Sequence, residues 1–327
     1  MKLPRRTFLH LAAGAAVLPA ISRVANAQAY PLRPVRIIVA YSPGGQTDSI
    51  ARLLAQKLSD HFGARFYVEN VPGAGGNIGM ARAAQAAADG YTLMMIDVTS
   101  YVVNPSLYKK VPYDPFKDFD PIALAVTTTQ VLMVHPSLPV ASVKDLVALI
   151  KADPGKLSYA SAGVGSPSHL TSELFRISLG LDLVHVPFNG AGPAIASTIG
   201  GHTPIAFGSP ASSVAQVKQG NLRGLAVASK RRLAALPDVP TMAQSGFPEI
   251  ECDARLGVVA PAGTPRDIIA QLNREIAKLV ALPDVKERLA TLGFEPSANT
   301  PEDAAAVFRV EAAKWAKVVR EAGIRAE

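Results

Sequence analysis

Cysteine, charge and histidine are all scarce in this 327-residue chain, and each shortage excludes a class of protein. Cys252 is its only cysteine, so no disulfide can form within the chain. The six histidines are scattered, without an H-E-x-x-H motif or another close pair that would hold a metal ion. No stretch matches a phosphate-binding P-loop. The sequence therefore predicts neither a metal nor a cofactor.

The usual pattern of a serine nucleophile is also absent. Ser161, Ser166 and Ser209 lack the paired glycines of the G-x-S-x-G turn that presents the nucleophile in many hydrolases. Asp48 and Glu173 lie near predicted helix starts, where the helix dipole favours a negative charge. We therefore expect no enzyme activity, and an exported ester hydrolase is the alternative.

The first 27 residues have the features of an export signal. Arg5-Arg6 begins a twin-arginine pattern, residues 11–21 are apolar, and Ala25-Asn26-Ala27 forms an A-x-A cleavage site. The apolar segment is too short to span a membrane. We expect cleavage after Ala27 and a periplasmic mature protein.

The charge balance gives no support for nucleic-acid binding. The full chain has a formal net charge of +7. Lys2, Arg5, Arg6 and Arg23 leave with the signal and no acid does, so the mature chain carries 7 − 4 = 3 positive charges. So small an excess, without a basic cluster, lacks the electrostatic footprint of a nucleic-acid-binding protein.

Hydrophobic patterning predicts strands that alternate with helices along the mature chain. Residues 35–40 form a nearly continuous β-branched run, typical of a strand buried on both faces. Apolar residues then recur at helical spacing from Ile50 to Phe62, and Gly63 is well placed to end that helix. The last helix opens on Thr300-Pro301, with a capping residue before an N1 proline. This alternation predicts an α/β fold with mainly parallel sheets.

Glycine-rich loops connect several of these strands to helices and fall into two sets, residues 41–79 and residues 161–193. If two α/β units face each other with their strand ends, both sets line one cleft, the usual ligand position in such folds. A return of the chain to the first unit near residue 250 makes the connection double, which gives a hinge. We predict domain I from residues 28–128 and 249–327, and domain II from residues 129–248.

The loop after the first strand, residues 41–48, is the leading candidate for an anion site. Two glycines permit a tight turn, and Thr47 or Asp48 can cap the helix, which leaves other first-turn N–H groups to point at an anion. Such a site needs no lysine or arginine. The same pattern also fits an ordinary turn between a strand and a helix.

Three further loop positions bear on function. Residues 72–79 narrowly miss the dinucleotide-binding fingerprint, because Ile78 stands where the third glycine is needed. Thr99 follows the next predicted strand, in a loop whose hydroxyls are placed to face a cleft. His169 begins a helix in the second set of loops, where it either contacts a ligand or packs as a capped, buried histidine.

Short segments spread in order over the mature chain occur together in one known family. They include Pro43-Gly44-Gly45-Gln46-Thr47-Asp48, Asn70-Val71-Pro72-Gly73-Ala74-Gly75-Gly76, Asn104-Pro105-Ser106-Leu107-Tyr108, Gly163-Val164-Gly165-Ser166-Pro167-Ser168-His169-Leu170 and Ala260-Pro261-Ala262-Gly263-Thr264-Pro265. With the signal segment, they resemble the Bug-type receptors, which are the extracytoplasmic solute-binding proteins of tripartite tricarboxylate transporters.

This resemblance implies a two-domain periplasmic binding protein of type II-like fold that closes at a hinge on a small carboxylate. Backbone amides, hydroxyls and ordered water would hold the carboxylate. The complete set of predicted ligand-binding residues is Ser42, Gly45, Gln46, Thr47, Asp48, Ala74, Gly75, Asn77, Thr99, Ser161, Gly163, Ser166, His169, Asn189, Gly190 and Ser209. The resemblance also implies membrane permease subunits as partners, and the alternative is a sensor that reports to a signalling partner. We expect a monomer.

Two positions depart from the family pattern. Gly208-Ser209 stands where the family commonly has an aspartate after a phenylalanine, here Phe207, and Arg255 stands where it commonly has an aromatic residue. Loss of the acid and gain of a base favour a ligand with a second acidic group, or a cleft of altered size. The alternative is that Arg255 lies on the surface.

Overall fold

Strands and helices alternate along the described part of the chain, residues 30–326 of the computed structural model. All of the strands and helices of the described residues belong to the compact unit that begins at Arg33. The predicted signal and cleavage site, in residues 1–27, lie outside the described residues. The strands are β1 (Val35–Val39), β2 (Phe66–Asn70), β3 (Thr92–Asp97), β4 (Phe119–Thr129), β5 (Val131–Val134), β6 (Ser158–Ser161), β7 (Val184–Pro187), β8 (Ile205–Gly208), β9 (Arg223–Val227), β10 (Asp253–Pro261) and β11 (Glu295–Pro296).

The helices follow most of these strands. They are α1 (Gln46–Phe62), α2 (Asn77–Ala84, after a 3₁₀ turn at Ala74–Gly76), α3 (Val98–Leu107), α4 (Val143–Ala152), α5 (Pro167–Ser178), α6 (Ala191–Ile199), α7 (Pro210–Lys218), α8 (Arg266–Ala281), α9 (Pro283–Thr291) and α10 (Pro301–Ala322). As predicted, α1 ends at the left-handed Gly63, and α10 begins with a capping box formed by Thr300 and Asp303. Within residues 30–326, each helix is too short or too polar to cross a membrane.

The strands form two mixed sheets. The first has the order β2-β1-β3-β10-β4-β11, and the second has the order β7-β6-β8-β5-β9. β1 is parallel to β2 and β3, and β6 is parallel to β7 and β8, whereas the pairs made by β4, β5 and β10 are antiparallel. The predicted α/β fold is confirmed, but the expectation of mainly parallel sheets is corrected to mixed ones.

The antiparallel pairs arise from the way the chain passes between the sheets. It leaves the first sheet at Gln130, between β4 and β5, and returns between β9 and β10. The N–H of Ala228 donates to the carbonyl of Gln130 at 2.8 Å, and the N–H of Cys252 donates to that of Ala228 at 2.7 Å. Since the outgoing and returning segments run in opposite directions, the strands that continue them pair antiparallel. No strand was predicted at β4, the longest of these segments.

Core packing joins the elements of both sheets. One cluster of buried side chains contains Met94 of the first sheet, Leu132 of the second and Trp315 of α10. The helix α10 packs on α3 and β4, and also on α5 beside the second sheet. The buried core therefore continues from one sheet to the other.

Candidate ligand-binding cleft

A cleft of about 730 Å³ is lined by glycine-rich loops from both sheets. Residues 40–47, 72–76, 97, 100 and 108 form what we call the first wall. Residues 162–168, 188–195, 207–209 and 212 form the second wall, and Gln130 lines the cleft at the crossing between the sheets. A volume of this size suits a small-molecule ligand.

The structure brings together most, but not all, of the predicted site residues. Those that line the cleft are Ser42, Gly45, Gln46, Thr47, Ala74, Gly75, Gly163, Ser166, Asn189, Gly190 and Ser209. Those that do not line it are Asp48, Asn77, Thr99, Ser161 and His169. The residues in the second group are buried, and several hold the loops in place from behind.

The loop between β1 and α1 is closed by its own aspartate. The predicted cap at Thr47 or Asp48 is wrong, since α1 begins at Gln46 and its N-cap, Gly45, has no side chain. Instead, Asp48 accepts hydrogen bonds from the N–H of Gly44 at 2.9 Å and from Arg52 Nε at 2.9 Å. Burial opposes the charge, but these bonds hold the pKa of Asp48 below its ordinary value. The carboxylate therefore shapes the turn, in which Gly44 has a φ of 87°.

The second loop of the first wall packs tightly on β1. A Cβ at Gly79 would lie 2.7 Å from the Val71 carbonyl and 2.8 Å from Ala40 Cα, so only glycine permits this approach of α2. Asn77 does not line the cleft, and its side-chain oxygen accepts from Asn104 Nδ2 at 2.9 Å. The predicted ligand contact at Asn77 is thus replaced by a bond that holds the loop.

Asp97, at the carboxyl end of β3, is a site residue that sequence reasoning missed. It lines the cleft and is only 2% exposed. Its Oδ1 accepts from the N–H of Ser100 at 3.2 Å, and its Oδ2 accepts from Gln46 Nε2 at 3.1 Å. Burial raises the pKa of Asp97 to about 6. The signal available in the sequence was an aspartate that ends a buried strand, which is the position of a helix N-cap.

That cap corrects the predicted loop at residues 98–100, which is the first turn of α3. Thr99 lies inside this turn and is 1% exposed, so its hydroxyl does not face the cleft. Its neighbour Ser100 does line the cleft. The hydroxyl that lines the cleft is therefore that of Ser100, one residue after the predicted Thr99.

Two buried amide oxygens at the cleft have no hydrogen-bond partner among the described residues: Gln46 Oε1 and Gln130 Oε1. Both side chains belong to residues that line the cleft, and Gln130 is 1% exposed. A buried polar group without a partner is costly, which makes such groups candidates for ligand contacts. Gln130 was not predicted, because a single polar residue between two apolar runs carries no motif.

Side chains of the second wall fold back onto their own loop. Ser166 caps α5 by accepting from the N–H of His169 at 3.3 Å, and Ser168 Oγ accepts from the N–H of Ala162 at 3.0 Å. The N–H of Gly165 donates to His169 Nδ1 at 3.1 Å. His169 is therefore the packed histidine of the two alternatives, and burial lowers its pKa to about 3.

Ser161 forms a serine–histidine pair that the sequence did not indicate. Its Oγ lies 2.7 Å from His185 Nε2, and it also accepts from the N–H of Gly163 at 3.2 Å. His185 stacks on His169 with 4.0 Å between ring centroids. Ser161 is fully buried and does not line the cleft. Among the described residues, the hydrogen-bond partner of the His185 side chain is Ser161 rather than a carboxylate. The pair holds the loop rather than presenting a nucleophile.

The charge of the cleft is unusual for an anion site. Among the described residues that line the cleft there is no lysine, arginine or histidine, and the only acidic side chain among them is that of Asp97. Any attraction for an anion must come from backbone N–H groups, such as those of the first turn of α1, from hydroxyls and from the side-chain amides of Gln46, Gln130 and Asn189. Among the described residues, no group of three metal-ligating side chains is found.

The two departures from the family pattern have different outcomes. Gly208 lines the cleft, and a Cβ there would lie 2.7 Å from Ser213 Oγ and 2.9 Å from Met133 Cε. Arg255 does not line the cleft, because it pairs with Glu311 of α10 at 2.7 Å. Arg255 is partly buried and forms an ion pair with Glu311. It is therefore neither a residue of the cleft nor a free charge on the surface.

Comparison with known proteins shows the family of the chain. The model of the tripartite tricarboxylate transporter family receptor matches residues 50–324. The chain belongs to this receptor family. The predicted kinship with Bug-type receptors is confirmed, since Protein BugT of Bordetella pertussis is 37% identical over 93% of this receptor and 94% of BugT.

Solved structures extend the likeness to the fold. A structure described as a periplasmic transporter is 40% identical to this receptor, with a TM-score of 0.84 over 91% of the receptor and 99% of that chain. R. palustris Rpa4515, solved with adipate, is 34% identical, with a TM-score of 0.85 over 90% of the receptor and 99% of that chain. The two-sheet α/β fold of the receptor is therefore that of periplasmic binding proteins.

Proposed function

We propose that this receptor binds a small organic carboxylate in the periplasm and delivers it to the permease subunits of a tripartite tricarboxylate-type transporter. The observation that carries the proposal is the cleft itself, where the N-terminus of α1 and glycine-rich loops meet without a cationic side chain. Such amides bind anions without a counter-charge. The adipate in the related Rpa4515 supports a carboxylate as the ligand.

Closure would occur about the two crossings between the sheets. We assign residues 28–128 and 249–327 to one domain and residues 129–248 to the other, so that Gln130 and the return segment form the hinge. A ligand that contacts both walls favours the closed state by those extra contacts. No covalent chemistry is required, and a monomer suffices.

The ligand is found by a thermal-shift screen of residues 28–327 against di- and tricarboxylates, aromatic acids and amino acids, after one sample is refolded to remove carried-over ligand. A ligand at 100 times its Kd adds about 2.7 kcal/mol to the free energy of unfolding. Gly45→Val places bulk beside the N-terminus of α1, where the nearest atom to a new Cβ is 3.9 Å away. We expect it to fold and to lose the shift.

The control for that variant is Gln56→Val, on the exposed face of the same helix, which should retain the shift. A Gly45→Val protein with the wild-type shift would move the site elsewhere in the cleft. Failure of every carboxylate to shift the melting temperature would contradict the proposed ligand class.

Two experiments distinguish transport from the alternative roles of sensor and ester hydrolase. A sensor would bind the same ligand but be captured by a signalling partner rather than by permease subunits in a pull-down from membranes. The Ser161–His185 pair is the observation that favours testing hydrolysis. Ester turnover that disappears in Ser161→Ala would support an enzyme, whereas we expect no turnover in either protein.

A further inference from the structure

We propose that the receptor takes up a proton at Asp97 when it binds a carboxylate, so that ligand and proton are captured together. The inference rests on the proposed carboxylate-binding function and assigns a role to a residue that the binding proposal does not use. One proton passes from solvent to a carboxylate oxygen of Asp97, and no other bond is made or broken.

Asp97 is hydrogen-bonded to the first residue of the helix whose N-terminus would hold the anion. Its Oδ2 accepts from the side chain of Gln46, the first residue of α1. An anion held by the first-turn amides of α1 therefore lies within about one side-chain length of a buried carboxylate. Two negative charges at such a distance in a desolvated site raise the pKa of the group that can still bind a proton.

Among the described residues that line the cleft, no side chain offers a positive charge to offset this repulsion. Tyr41, which follows β1, and Glu311 of α10 both interact electrostatically with Asp97, and Glu311 adds a further negative charge. Glu311 is paired with Arg255, and opposite Asp97 on β10 lies the apolar Leu256. The helix that Asp97 caps, α3, has no charged residue. Burial, with Glu311, already raises the pKa of Asp97 to about 6 before any ligand is present.

Gln46 can serve either protonation state of its partner. With Asp97 ionised, Gln46 Nε2 donates to the carboxylate, and Gln46 Oε1 is buried without a partner among residues 30–326. With Asp97 protonated, rotation of the amide by half a turn brings Oε1 into position to accept the carboxyl O–H. The same rotation frees Nε2 as a donor. Protonation thus turns an unpartnered acceptor at the cleft into a donor that a carboxylate ligand can use.

The test measures proton uptake directly, by calorimetric titration at pH 6.5 in two buffers of different ionisation enthalpy. The probe is adipate, or the dicarboxylate of the screen that binds most tightly, because such acids are ionised at this pH. If the ligand raises the pKa of Asp97 by one unit, uptake is about half a proton per ligand, and Kd tightens about threefold between pH 8 and pH 6.5.

Asp97→Asn keeps an oxygen for the α3 cap and removes the titration. We expect this variant to take up no proton, to lose the pH dependence of Kd and to bind up to about tenfold more tightly than the wild type at pH 8. The matched control is Asp253→Asn, because burial also raises the pKa of Asp253, yet Asp253 does not line the cleft. That variant should retain the uptake of the wild type.

The outcomes separate this inference from the proposed function. Carboxylate binding with no proton uptake by the wild-type protein would overturn the inference and leave the function intact. Uptake that persists in Asp97→Asn would assign the proton to another group and would also overturn it. If Asp97→Asn does not fold, the wild-type measurement in two buffers still decides. Absence of binding to any carboxylate would overturn both proposals.

Discussion

The two walls of the cleft are built from the same strand–loop–helix unit but present different chemistry. On the first wall, the group that caps a helix, Asp97, lines the cleft with its carboxylate. On the second wall, the helix cap is Ser166, whose hydroxyl also lines the cleft but does not ionise, while the ionisable His169 of the same turn folds back and accepts from the N–H of Gly165. The strand–loop–helix unit thus places backbone amides at both walls. The direction of the ionisable side chain in each unit decides whether that side chain lines the cleft.

This difference gives the walls opposite responses to pH. Burial raises the pKa of Asp97 to about 6 and lowers that of His169 to about 3. Both shifts disfavour the charged form of the side chain. The charged form of Asp97 is the carboxylate, which exists at high pH, and the charged form of His169 is the imidazolium, which exists at low pH. Acid should therefore stabilise the first wall and destabilise the second.

The largest effect is expected from breaking the close packing of the first wall. Gly79→Val forces a side chain against the Val71 carbonyl and the backbone of Ala40, neither of which can yield as a flexible side chain would. We expect the free energy of unfolding to fall by about 3 kcal/mol. Chemical denaturation of the ligand-free protein measures it.

The matched control on the second wall is Gly192→Ala, at the start of α6. Nothing lies within 4 Å of a Cβ at Gly192, so the variant should gain about 0.5 kcal/mol from the better helix propensity of alanine. Equal losses at both positions would show that the two walls are packed alike and would contradict the comparison.

The opposite pH responses can be measured as stability. The folded-state pKa of Asp97 exceeds its unfolded value, so the stability contributed by the neutral carboxyl is present below pH 4 and is lost as pH rises through 6. Asp97→Asn should therefore stabilise the protein by about 2 kcal/mol more at pH 8 than at pH 4. Urea unfolding at the two pH values tests this.

His169 provides the opposing half of that measurement. Its folded-state pKa of about 3 lies below its unfolded value of about 6.5, so its contribution to stability is present above pH 6.5 and is lost as pH falls through 3. His169→Gln should reduce the acid loss of stability while leaving the effect of Asp97→Asn unchanged. If the free energy of unfolding of both variants depended on pH in the same way, the opposite pH responses of Asp97 and His169 would be refuted.

The smallest expected effect separates lining residues from supporting residues. Thr47 lines the cleft, so Thr47→Ala should weaken ligand binding by about 1 kcal/mol, or fivefold in Kd, with little change in stability. Ser161 lies behind the second wall, so Ser161→Ala should lower stability by about 1 kcal/mol and leave Kd unchanged. Titration calorimetry measures Kd and chemical denaturation measures stability for both variants. If Ser161→Ala weakened binding and Thr47→Ala lowered stability instead, the distinction between lining and supporting residues would be wrong.

Much of the architecture was predictable because it depends on short-range patterns. The buried run of β1, the helical spacing that ends at Gly63 and the cap at Thr300 each lie within a few residues of the structure they determine. The glycine-rich loops were likewise visible, and residues 50–324 carried enough of the family's features to identify it. Composition alone excluded an intrachain disulfide.

Which side chains face the cleft was decided only by the tertiary structure. Asp97 is oriented by Gln46, 51 residues away, Ser161 is bonded to His185, 24 residues away, and Arg255 is paired with a glutamate 56 residues away. The antiparallel pairs also depend on where the chain crosses between the sheets. Local sequence determines an element and its loop, but the direction of a side chain at the loop depends on partners that only the folded chain brings near.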